Sequence, residues 1–397
     1  MRTDLTLDCG ATIHGDCDPA FDSVAQAFAC NFTQHDEVGA SVCLSVDGRT
    51  VVDLWGGHTD LAARIPWEEN TLSLVFSCTK AATALCAQLL VDRGLLELHA
   101  PIAKYWPEFA QGGKQDATVL MALNHSLGLP ALREPIKSGA YYDWQYMAGR
   151  LAQEAPFWVP GTKCGYHMMT FGWTVGEIVR RVSGKSLGAF FRDEIAAPVG
   201  LDFWIGLPAA LESRVAPVIP FVPQRDTPKT DFIAALMSNP RSIPHLAVMN
   251  NGSHVPNSQR AHAAELGGGG GITNARGLAR LYEPLARPDG ARRLLSAERI
   301  DAMRQPSTQT DCDQTLLIPT RFAQGFMLRM DNSALPVGNS LRIGNDAFGH
   351  VGMGGSLGFA DRKHRLSFGY TMNRLGGGIL LNERGQSLVD AAYACLA

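Results

Sequence analysis

The chain has 397 residues, of which 46% are hydrophobic and 18% are charged, and its 35 basic and 38 acidic residues give a formal net charge of −3. This composition is average for a soluble globular protein, and a chain of this length can bury a large core. Neither a basic excess nor a run of Lys and Arg is present to neutralise phosphates, so nucleic acid and anionic membrane surfaces are excluded as expected partners.

The N-terminal stretch MRTDLTLDCGATIHGDCDP places Asp and His where a secretory signal needs an unbroken apolar segment. No later segment approaches the apolar length that spans a bilayer, so we expect a cytoplasmic protein without a membrane partner. The nine cysteines are an odd number without C-x-x-C spacing, which favours reduced thiols over a disulfide framework or a zinc site.

The first elements predicted along the chain are a hairpin and a long helix. In SVCLSVDGRTVVDLWGG, apolar residues alternate on both sides of Asp47-Gly48, which predicts two strands that open the fold. The stretch SCTKAATALCAQLLVDRG then carries apolar residues at helical spacing and ends at Gly94. Further helices are predicted at TFGWTVGEIVRRVSG and LGAFFRDEIAAPVG, and another at ITNARGLARLYEPLA behind a cap at Thr273 or Asn274.

Strand patterns return near residue 320, in RFAQGFMLRM, GSLGFAD and LSFGYTMNR, before a closing helix in RGQSLVDAAYACLA. Strands at both ends with helices between them predict an α+β fold, in which an antiparallel sheet is covered by helices. The approximate division is a sheet domain from residues 1–80 and 320–397 and a mostly helical domain from residues 81–319.

Two serines compete for the role of nucleophile. Gly354, Ser356 and Gly358 spell G-x-S-x-G, but that motif needs a helix after the serine and a later acid and histidine. The residues after Ser356 predict a hairpin, and His364 follows Asp361 within a turn, so we expect Ser356 to be a structural serine at a tight strand start. Ser77 and Lys80 instead form S-x-x-K at the start of the long helix.

The three-residue spacing places Ser77 and Lys80 on one helix face, where the amine can take the serine proton if burial lowers its pKa. Taken alone, the motif is more typical of a helix that exposes its lysine to solvent. Nearby histidines are expected to be structural, His125 as a hydrogen-bonding residue and His167 because it points away from Tyr166. The run Gly267–Gly271 lacks the spacing of a phosphate loop and is expected to be a flexible approach to a helix.

The serial order of these stretches, together with LNHSLGLP, PGTKCGYHMM and FGHVGMGGSLGFAD, resembles the serine β-lactamase and penicillin-binding protein superfamily from about residue 40 onward. The chain is most similar to its family VIII carboxylesterases, which look like class C β-lactamases. The resemblance implies a β-lactamase-like antiparallel sheet flanked by helices, joined to a mostly helical domain with the site between them.

The resemblance also implies roles for individual residues. Ser77 takes the place of the acylated serine, Lys80 that of its lysine, and Tyr166 that of the tyrosine in Y-x-N. His350 to Gly352 stand where relatives have K-T-G, as substrate-binding residues, and the oxyanion hole is expected from the backbone N–H groups of Ser77 and Met353.

Two departures from the family pattern favour neutral esters. Met168 replaces the asparagine of Y-x-N, and His350 replaces the K-T-G lysine whose charge holds carboxylates. Histidine is mostly neutral at physiological pH, so this anchor is weakened.

The predicted function is hydrolysis of short-chain carboxylic esters through an acyl-enzyme on Ser77, with weak β-lactam hydrolysis as an accompanying activity. Tyr166 and Lys80, hydrogen-bonded together, would activate the serine; which of them is the formal base stays open. The substrate is a small molecule, and no metal or cofactor is required. The alternatives are a β-lactamase, a D-amino-acid amidase or peptidase, and a non-catalytic binding protein; the sequence does not fix the oligomeric state.

Overall fold

The structure, a computed structural model, describes residues 2–223, 229–336 and 338–396. These residues form fourteen β-strands in chain order: β1 (Arg2–Thr6), β2 (Thr12–Cys17), β3 (Gly39–Val46), β4 (Arg49–Asp60), β5 (Ile65–Pro66), β6 (Ser73–Leu74), β7 (Phe203–Trp204), β8 (Ile272–Thr273), β9 (Thr308–Thr310), β10 (Thr320–Phe322), β11 (Met327–Leu328), β12 (Ala347–Val351), β13 (Leu357–Asp361) and β14 (Leu366–Met372).

The same residues form thirteen α-helices: α1 (Asp22–Gln34), α2 (Thr79–Asp92), α3 (Val119–Leu123), α4 (Trp144–Gln153), α5 (Thr170–Ser183), α6 (Leu187–Phe191), α7 (Ala197–Val199), α8 (Asp231–Ser238), α9 (Ile243–Met249), α10 (Gln259–Ala263), α11 (Ala275–Ala286), α12 (Ala297–Met303) and α13 (Glu383–Ala394). None of them combines the length and the apolar character that crossing a bilayer requires.

The main sheet is antiparallel and joins the two ends of the chain. Its strand order is β1-β2-β4-β3-β14-β13-β12-β11-β10-β9, with β5 paired to β4 at one side. The junction between the N-terminal and C-terminal strands is the β3–β14 pair, in which Leu44 lies opposite Phe368. A second, smaller sheet has the order β6-β8-β7. The predicted α+β class, with an antiparallel sheet built from strands near both termini, is confirmed.

Helices cover both faces of the main sheet because successive strand residues point to opposite sides. On β12 and β13, Phe348 and Ala360 join the cluster that contains α11, whereas Leu357 and Phe359 join the cluster that contains α13. Helix α11 lies close to the strands: a Cβ on Gly369 would overlap the backbone of Ala275. Only glycine permits this approach.

Helix α2 runs through the interior between the sheet and the remaining helices. From Thr79 to Leu90 every residue is buried, so this helix has no solvent face. Alanines on most sides allow neighbouring elements to pack closely, while Leu85 and Leu90 fill the space between α2 and its neighbours. Burial of each such leucine contributes roughly 1.5–3 kcal/mol. The position of α2 places its N-terminal end, and therefore Ser77, beside the end of β12, where the Cys78 thiol donates to His350 O at 3.2 Å.

Several predicted elements differ from the structure. The hairpin at Asp47-Gly48 is present, but it does not open the fold, because β1, β2 and α1 precede it. The stretch predicted as one helix over residues 187–200 is α6, a π-helical turn over Arg192–Ala196, and α7. The stretch RFAQGFMLRM forms β10 and β11, separated by a turn at Gly325 with φ of 97°. Helix α11 is capped by Asn274, one of the two residues expected.

Candidate active site

Ser77 lies between strand β6 of the small sheet and helix α2. The N–H of Val75 donates to Gly271 O at 2.9 Å, which ties the approach segment to the strand beside it. Phe76 follows with φ of 43°, a left-handed conformation that costs a bulky residue about 1–3 kcal/mol and is found mainly at functional sites. This turn leaves Ser77 partly exposed between the buried residues Phe76 and Cys78.

Lys80 lies one helical turn beyond Ser77 and is fully buried. Its Nζ is 2.9 Å from Ser77 Oγ, 2.6 Å from Met168 O and 2.6 Å from Gly268 O. Burial lowers the pKa of this amine well below its ordinary value of 10.5. The structure therefore brings the two S-x-x-K residues together and excludes a solvated surface lysine.

The three contacts of Lys80 determine what its neutral form can do. A carbonyl oxygen accepts hydrogen bonds and donates none, so the two N–H bonds of a neutral amine go to Met168 O and Gly268 O. The remaining position on Nζ is the lone pair, which then faces Ser77 Oγ at 2.9 Å. This geometry suits an amine that accepts the serine proton.

Tyr166 lies beside this pair with its ring buried. Lys80 Nζ is 4.7 Å from the ring centre, and the ring of Phe322 is parallel to it within 10° at 5.9 Å. The hydroxyl of Tyr166 has no hydrogen-bond partner of normal geometry in the part of the chain that the structure describes. Burial raises the pKa of this phenol above its ordinary value, partly offset by the neighbouring Ser77, so the group stays protonated at neutral pH.

The expected hydrogen bond between Lys80 and Tyr166 is wrong. Lys80 uses Ser77 and two backbone carbonyls as partners, and its amine lies over the face of the tyrosine ring rather than at the hydroxyl. The cause is the glycine-lined backbone beyond Lys80, whose carbonyl at Gly268 lies close enough to capture one N–H of the amine.

His350 occupies the end of β12, within 6.0 Å of the Tyr166 ring between ring centres. Its Nδ1 is 2.7 Å from Val351 O, and because a carbonyl only accepts, Nδ1 carries the proton. Burial, reinforced by Lys80, lowers the pKa of His350 to about 3, so the imidazole is neutral across the physiological range. The position therefore provides no positive charge for a carboxylate.

The turn after β12 carries the two other expected site residues. Met353 is 53% exposed, and within the described residues its N–H donates to no protein acceptor. Gly352, by contrast, has both backbone groups engaged: its N–H donates to Ser356 O at 2.7 Å and its carbonyl accepts from Gly355 at 3.0 Å. A Cβ on Gly352 would overlap Val75 O and Ser356 Oγ. Gly352 thus contributes close packing beneath Met353 rather than a free polar group.

Ser356 is completely buried at the start of β13, in the hairpin that the sequence predicts. Its Oγ donates to Val75 O at 3.1 Å, and the thiol of Cys78 approaches it at 3.6 Å. The Asp361–His364 pair, with Nδ1 and Oδ2 3.1 Å apart, lies at the opposite end of β13. No strand–turn–helix elbow forms around Ser356.

The two histidines near Tyr166 serve the local backbone, in line with the structural roles expected for them. His167 Nε2 accepts the N–H of Leu129 at 2.9 Å, and His125 Nδ1 accepts the N–H of His167 at 3.2 Å. Burial lowers the pKa of His167 to about 3, so this imidazole is neutral.

Sequence reasoning missed the backbone acceptors around Lys80. The run Gly267–Gly271, expected to be a flexible approach to a helix, is buried and packed, with Gly267 O accepting from Thr83 Oγ1 at 2.8 Å and Gly268 O accepting from Lys80. A Cβ on Gly268 would come within 2.5 Å of Met169 O. Five consecutive glycines were the available signal, because such a run permits backbone approach that side chains would block.

Among residues 2–223, 229–336 and 338–396, no three His, Cys, Asp or Glu side chains come together as a metal site.

Comparisons of the sequence and of the fold with known proteins show which family the chain belongs to. The family model described as Beta-lactamase matches residues 24–391. The chain is 33% identical over 389 residues to Esterase/beta-lactamase LipL of Mycobacterium tuberculosis (strain ATCC 25618 / H37Rv), covering 95% of this chain and 86% of that protein.

Two solved structures are similar over nearly the whole chain. A family VIII carboxylesterase has a TM-score of 0.85 and 38% identity, covering 96% of this chain and 99% of that one. A penicillin-binding protein homologue from Caulobacter crescentus has a TM-score of 0.86 and 33% identity, also over 96% of this chain and 99% of the other.

Proposed function

Because the chain belongs to the Beta-lactamase family, whose model matches residues 24–391, we propose that it hydrolyses short-chain carboxylic esters through an acyl-enzyme on Ser77. The observation that carries the proposal is the buried Lys80 amine, 2.9 Å from Ser77 Oγ and held by two backbone carbonyls. Esterase-named relatives support ester hydrolysis in the family at large.

In the first half of the reaction, Ser77 Oγ attacks the ester carbonyl carbon while its proton passes to Lys80 Nζ. The carbonyl oxygen gains negative charge, which the backbone N–H groups of Ser77 and Met353 stabilise; one such donor is worth about 100- to 1,000-fold in rate. When the C–O bond of the ester breaks, the alkoxide leaves with the proton that Lys80 had taken. Tyr166, which is protonated and has no other hydrogen-bond partner of normal geometry among the described residues, donates a hydrogen bond to that departing oxygen.

The second half repeats these steps with water. A water molecule enters where the alcohol left, gives its proton to Lys80 and attacks the acyl carbon. The C–O bond to Ser77 breaks, the serine oxygen recovers a proton from Lys80, and the carboxylic acid departs. In these steps Ser77 and Lys80 are the residues that exchange protons, and Tyr166 contributes a hydrogen bond.

Neutral His350 supports esters over β-lactams and peptides. A penicillin carries a carboxylate, and the lysine that holds it in related proteins is replaced here by an uncharged imidazole whose pKa burial lowers to about 3. A neutral ester has no carboxylate to anchor and loses nothing by this replacement.

The test is the ratio of kcat/KM for p-nitrophenyl esters of increasing acyl length to kcat/KM for benzylpenicillin. We expect short acyl chains to be hydrolysed fastest, and far faster than the penicillin. His350→Lys should move the ratio toward the penicillin by about tenfold, equivalent to roughly 1.4 kcal/mol of differential binding. His99→Lys, which adds the same charge at an exposed position, should leave it unchanged. Equal efficiency on ester and penicillin in the unaltered protein would contradict the ester preference.

A further inference from the structure

We propose that Asp313 is a positioning residue that holds Tyr166 in register with Ser77, an inference that rests on the proposed role of Tyr166 in the reaction. Asp313 lies in the loop between β9 and β10, far from Tyr166 in sequence. Its side chain is completely buried. Both carboxylate oxygens lie 3.0 Å from the backbone N of Tyr166.

The carboxylate also organises its own loop. Oδ1 accepts the backbone N–H groups of Thr315 and Leu316, each at 2.8 Å, and Oδ2 accepts the hydroxyl of Thr320 at 3.2 Å. These bonds hold the loop in a turn around the Asp313 carboxylate. The backbone N–H of Tyr166, which belongs to a different segment, binds to the same carboxylate. The position of the Tyr166 backbone is therefore coupled to one side chain.

Two further backbone hydrogen bonds fix the segment that leads to Tyr166. Gln314 N–H donates to Cys164 O at 3.0 Å, on the Asp313 side, and Gly165 N–H donates to His125 O at 3.1 Å. The segment Cys164–Tyr166 is thus bonded to both the Asp313 turn and His125, although it belongs to no helix or strand.

These bonds to the Tyr166 backbone matter because its hydroxyl has no hydrogen bond of normal geometry to any of the described residues. The hydroxyl can be placed only through its ring, which packs between Lys80 and Phe322, and through its backbone, which Asp313 binds. A displacement of about 1 Å at a reacting group can cost on the order of 100-fold in rate.

The burial of a carboxylate at position 313 supports this positioning role. Within the described residues Asp313 has no Lys, Arg or His ion-pair partner, and an unpaired buried carboxylate is expensive. Burial raises its pKa, and the N–H donors of Leu316 and Tyr166 act against that rise. Burial is the main cause that raises the pKa of the Tyr166 phenol and keeps its hydroxyl a donor, and the Asp313 carboxylate acts in the same direction.

The test is a double-mutant cycle of Asp313→Asn with Tyr166→Phe, read as kcat and KM on one p-nitrophenyl ester. Asparagine keeps the shape and one acceptor oxygen but removes the charge and the second acceptor. We expect Asp313→Asn to lower kcat by about 10- to 100-fold with KM changed less than about threefold, because orientation rather than binding is lost. In the Tyr166→Phe background the same change should cost less than about threefold, since the hydroxyl it places is gone.

Asp361→Asn is the matched control. Asp361 is also a buried carboxylate that accepts backbone N–H groups of its own turn, from Lys363 at 2.9 Å and His364 at 3.2 Å, at the end of β13 away from Ser77. We expect it to lower the melting temperature without lowering kcat. If Asp313→Asn does not fold, Thr320→Val removes one donor to Asp313 Oδ2 and enters the same cycle, with an expected loss of about threefold that disappears in the Tyr166→Phe background.

Equal losses from Asp313→Asn in both backgrounds, or a kcat loss matched by Asp361→Asn, would overturn the inference. Different results would contradict the proposed function: full activity of Tyr166→Phe alone, or covalent labelling of Ser77→Ala by a fluorophosphonate.

Discussion

The protonation state of Lys80 decides whether Ser77 can react. A protonated amine would donate to Met168 O, Gly268 O and Ser77 Oγ alike, and it would have no lone pair with which to take a proton. Burial lowers its pKa well below 10.5, which favours the neutral form in the range where the protein works. The protein thus obtains its base by desolvation rather than by a neighbouring carboxylate.

The requirement for a neutral Lys80 amine predicts how the reaction depends on pH. Because the neutral amine is the reactive form, kcat/KM should rise with pH as Lys80 loses its proton and then level off, with a midpoint well below 10.5. The apparent pKa should belong to Lys80, because burial raises the pKa of the Tyr166 phenol and keeps it protonated at neutral pH. A profile of kcat/KM from acid to alkaline pH measures it, and a profile that is flat throughout would contradict the assignment.

Lys80→Arg provides the matching substitution, since a guanidinium does not deprotonate in proteins. We expect kcat/KM to fall by about 100- to 10,000-fold at every pH, the usual contribution of a general base. Lys104→Arg, at an exposed lysine paired with Glu97, should behave like the unaltered protein. Near-normal activity of Lys80→Arg would exclude Lys80 as the base.

For single residues, the sequence predicted that the side chains of Lys80 and Ser77 are in contact, but it did not predict the backbone carbonyls that Lys80 also contacts. The S-x-x-K spacing was sufficient to place Lys80 next to Ser77, and the resemblance supplied Tyr166 and His350. The carbonyls of Met168 and Gly268 could not be predicted, because every residue has a carbonyl and only the fold determines which one turns inward. Because these two carbonyls were not predicted, Lys80 was expected to form a hydrogen bond with Tyr166, which is incorrect.

At the scale of elements, the β12–β13 turn and the approach to α2 form one packed unit. Ser356 Oγ binds Val75 O, and Gly352 fits between that carbonyl and the serine without room for a Cβ. Met353, whose N–H is the proposed second oxyanion donor, directly follows Gly352. Gly352 is therefore explained by contact with the segment that carries Ser77, whereas a Cβ on Gly354 or Gly355 would meet Leu375 or Asn382 instead.

Gly352→Ala tests this coupling. The added methyl group would overlap Val75 O and Ser356 Oγ, so the turn should move away from Ser77 and carry the Met353 N–H with it. We expect a loss of about 1–3 kcal/mol in stability and a loss in kcat approaching the 100-fold order of a missing oxyanion donor. Thermal unfolding and ester hydrolysis measure the two effects.

Gly149→Ala is the control for Gly352→Ala. Gly149 lies within α4, and nothing stands within 4 Å of the position its Cβ would take. Replacing it should stabilise the helix by up to about 1 kcal/mol and leave kcat unchanged. If Gly352→Ala retained both the unfolding temperature and the kcat of the unaltered protein, the turn would not position the oxyanion donor.

Elements with strong periodicity were predicted well and irregular ones were not. The buried helices α2 and α5 carry long runs of apolar residues at helical spacing, and α11 has a clear polar cap. The strands β1 and β2 were missed because they lie at the sheet edge, where β2 carries polar residues such as His14 and Asp16 among few apolar ones. The π-helical turn before α7 leaves no periodic signature in the sequence.

At the scale of the whole molecule, the site is assembled from widely separated parts of the chain. Lys80 comes from α2 and Ser77 from the 3-10 turn Phe76–Cys78 just before it, whereas Tyr166 comes from a loop and His350 from β12. The β3–β14 pair joins the N-terminal and C-terminal parts of the sheet. Pattern reasoning alone cannot supply such distant contacts. They came from the resemblance, and both the family and its β-lactamase-like fold are confirmed by the comparisons. The division at residues 80 and 320 stays a prediction.

The central claim is that Ser77, and not Ser356, forms the acyl-enzyme. Both serines lie near Val75, but Ser77 is partly exposed beside Lys80, whereas Ser356 is buried and donates its proton to a carbonyl. Ser77→Ala should therefore abolish covalent labelling by a fluorophosphonate. Ser356→Ala should retain labelling and lose at most about tenfold in kcat/KM, or roughly 1.4 kcal/mol.

The most direct measurement is peptide mapping of the fluorophosphonate-labelled protein by mass spectrometry. Trypsin separates the candidates, because Ser77 lies in the peptide that ends at Lys80 and Ser356 in the one that ends at Arg362. Fragment ions then distinguish Ser77 from Ser73 in the shared peptide. We predict one adduct, on Ser77; an adduct on Ser356 with Ser77 unmodified would contradict the mechanism.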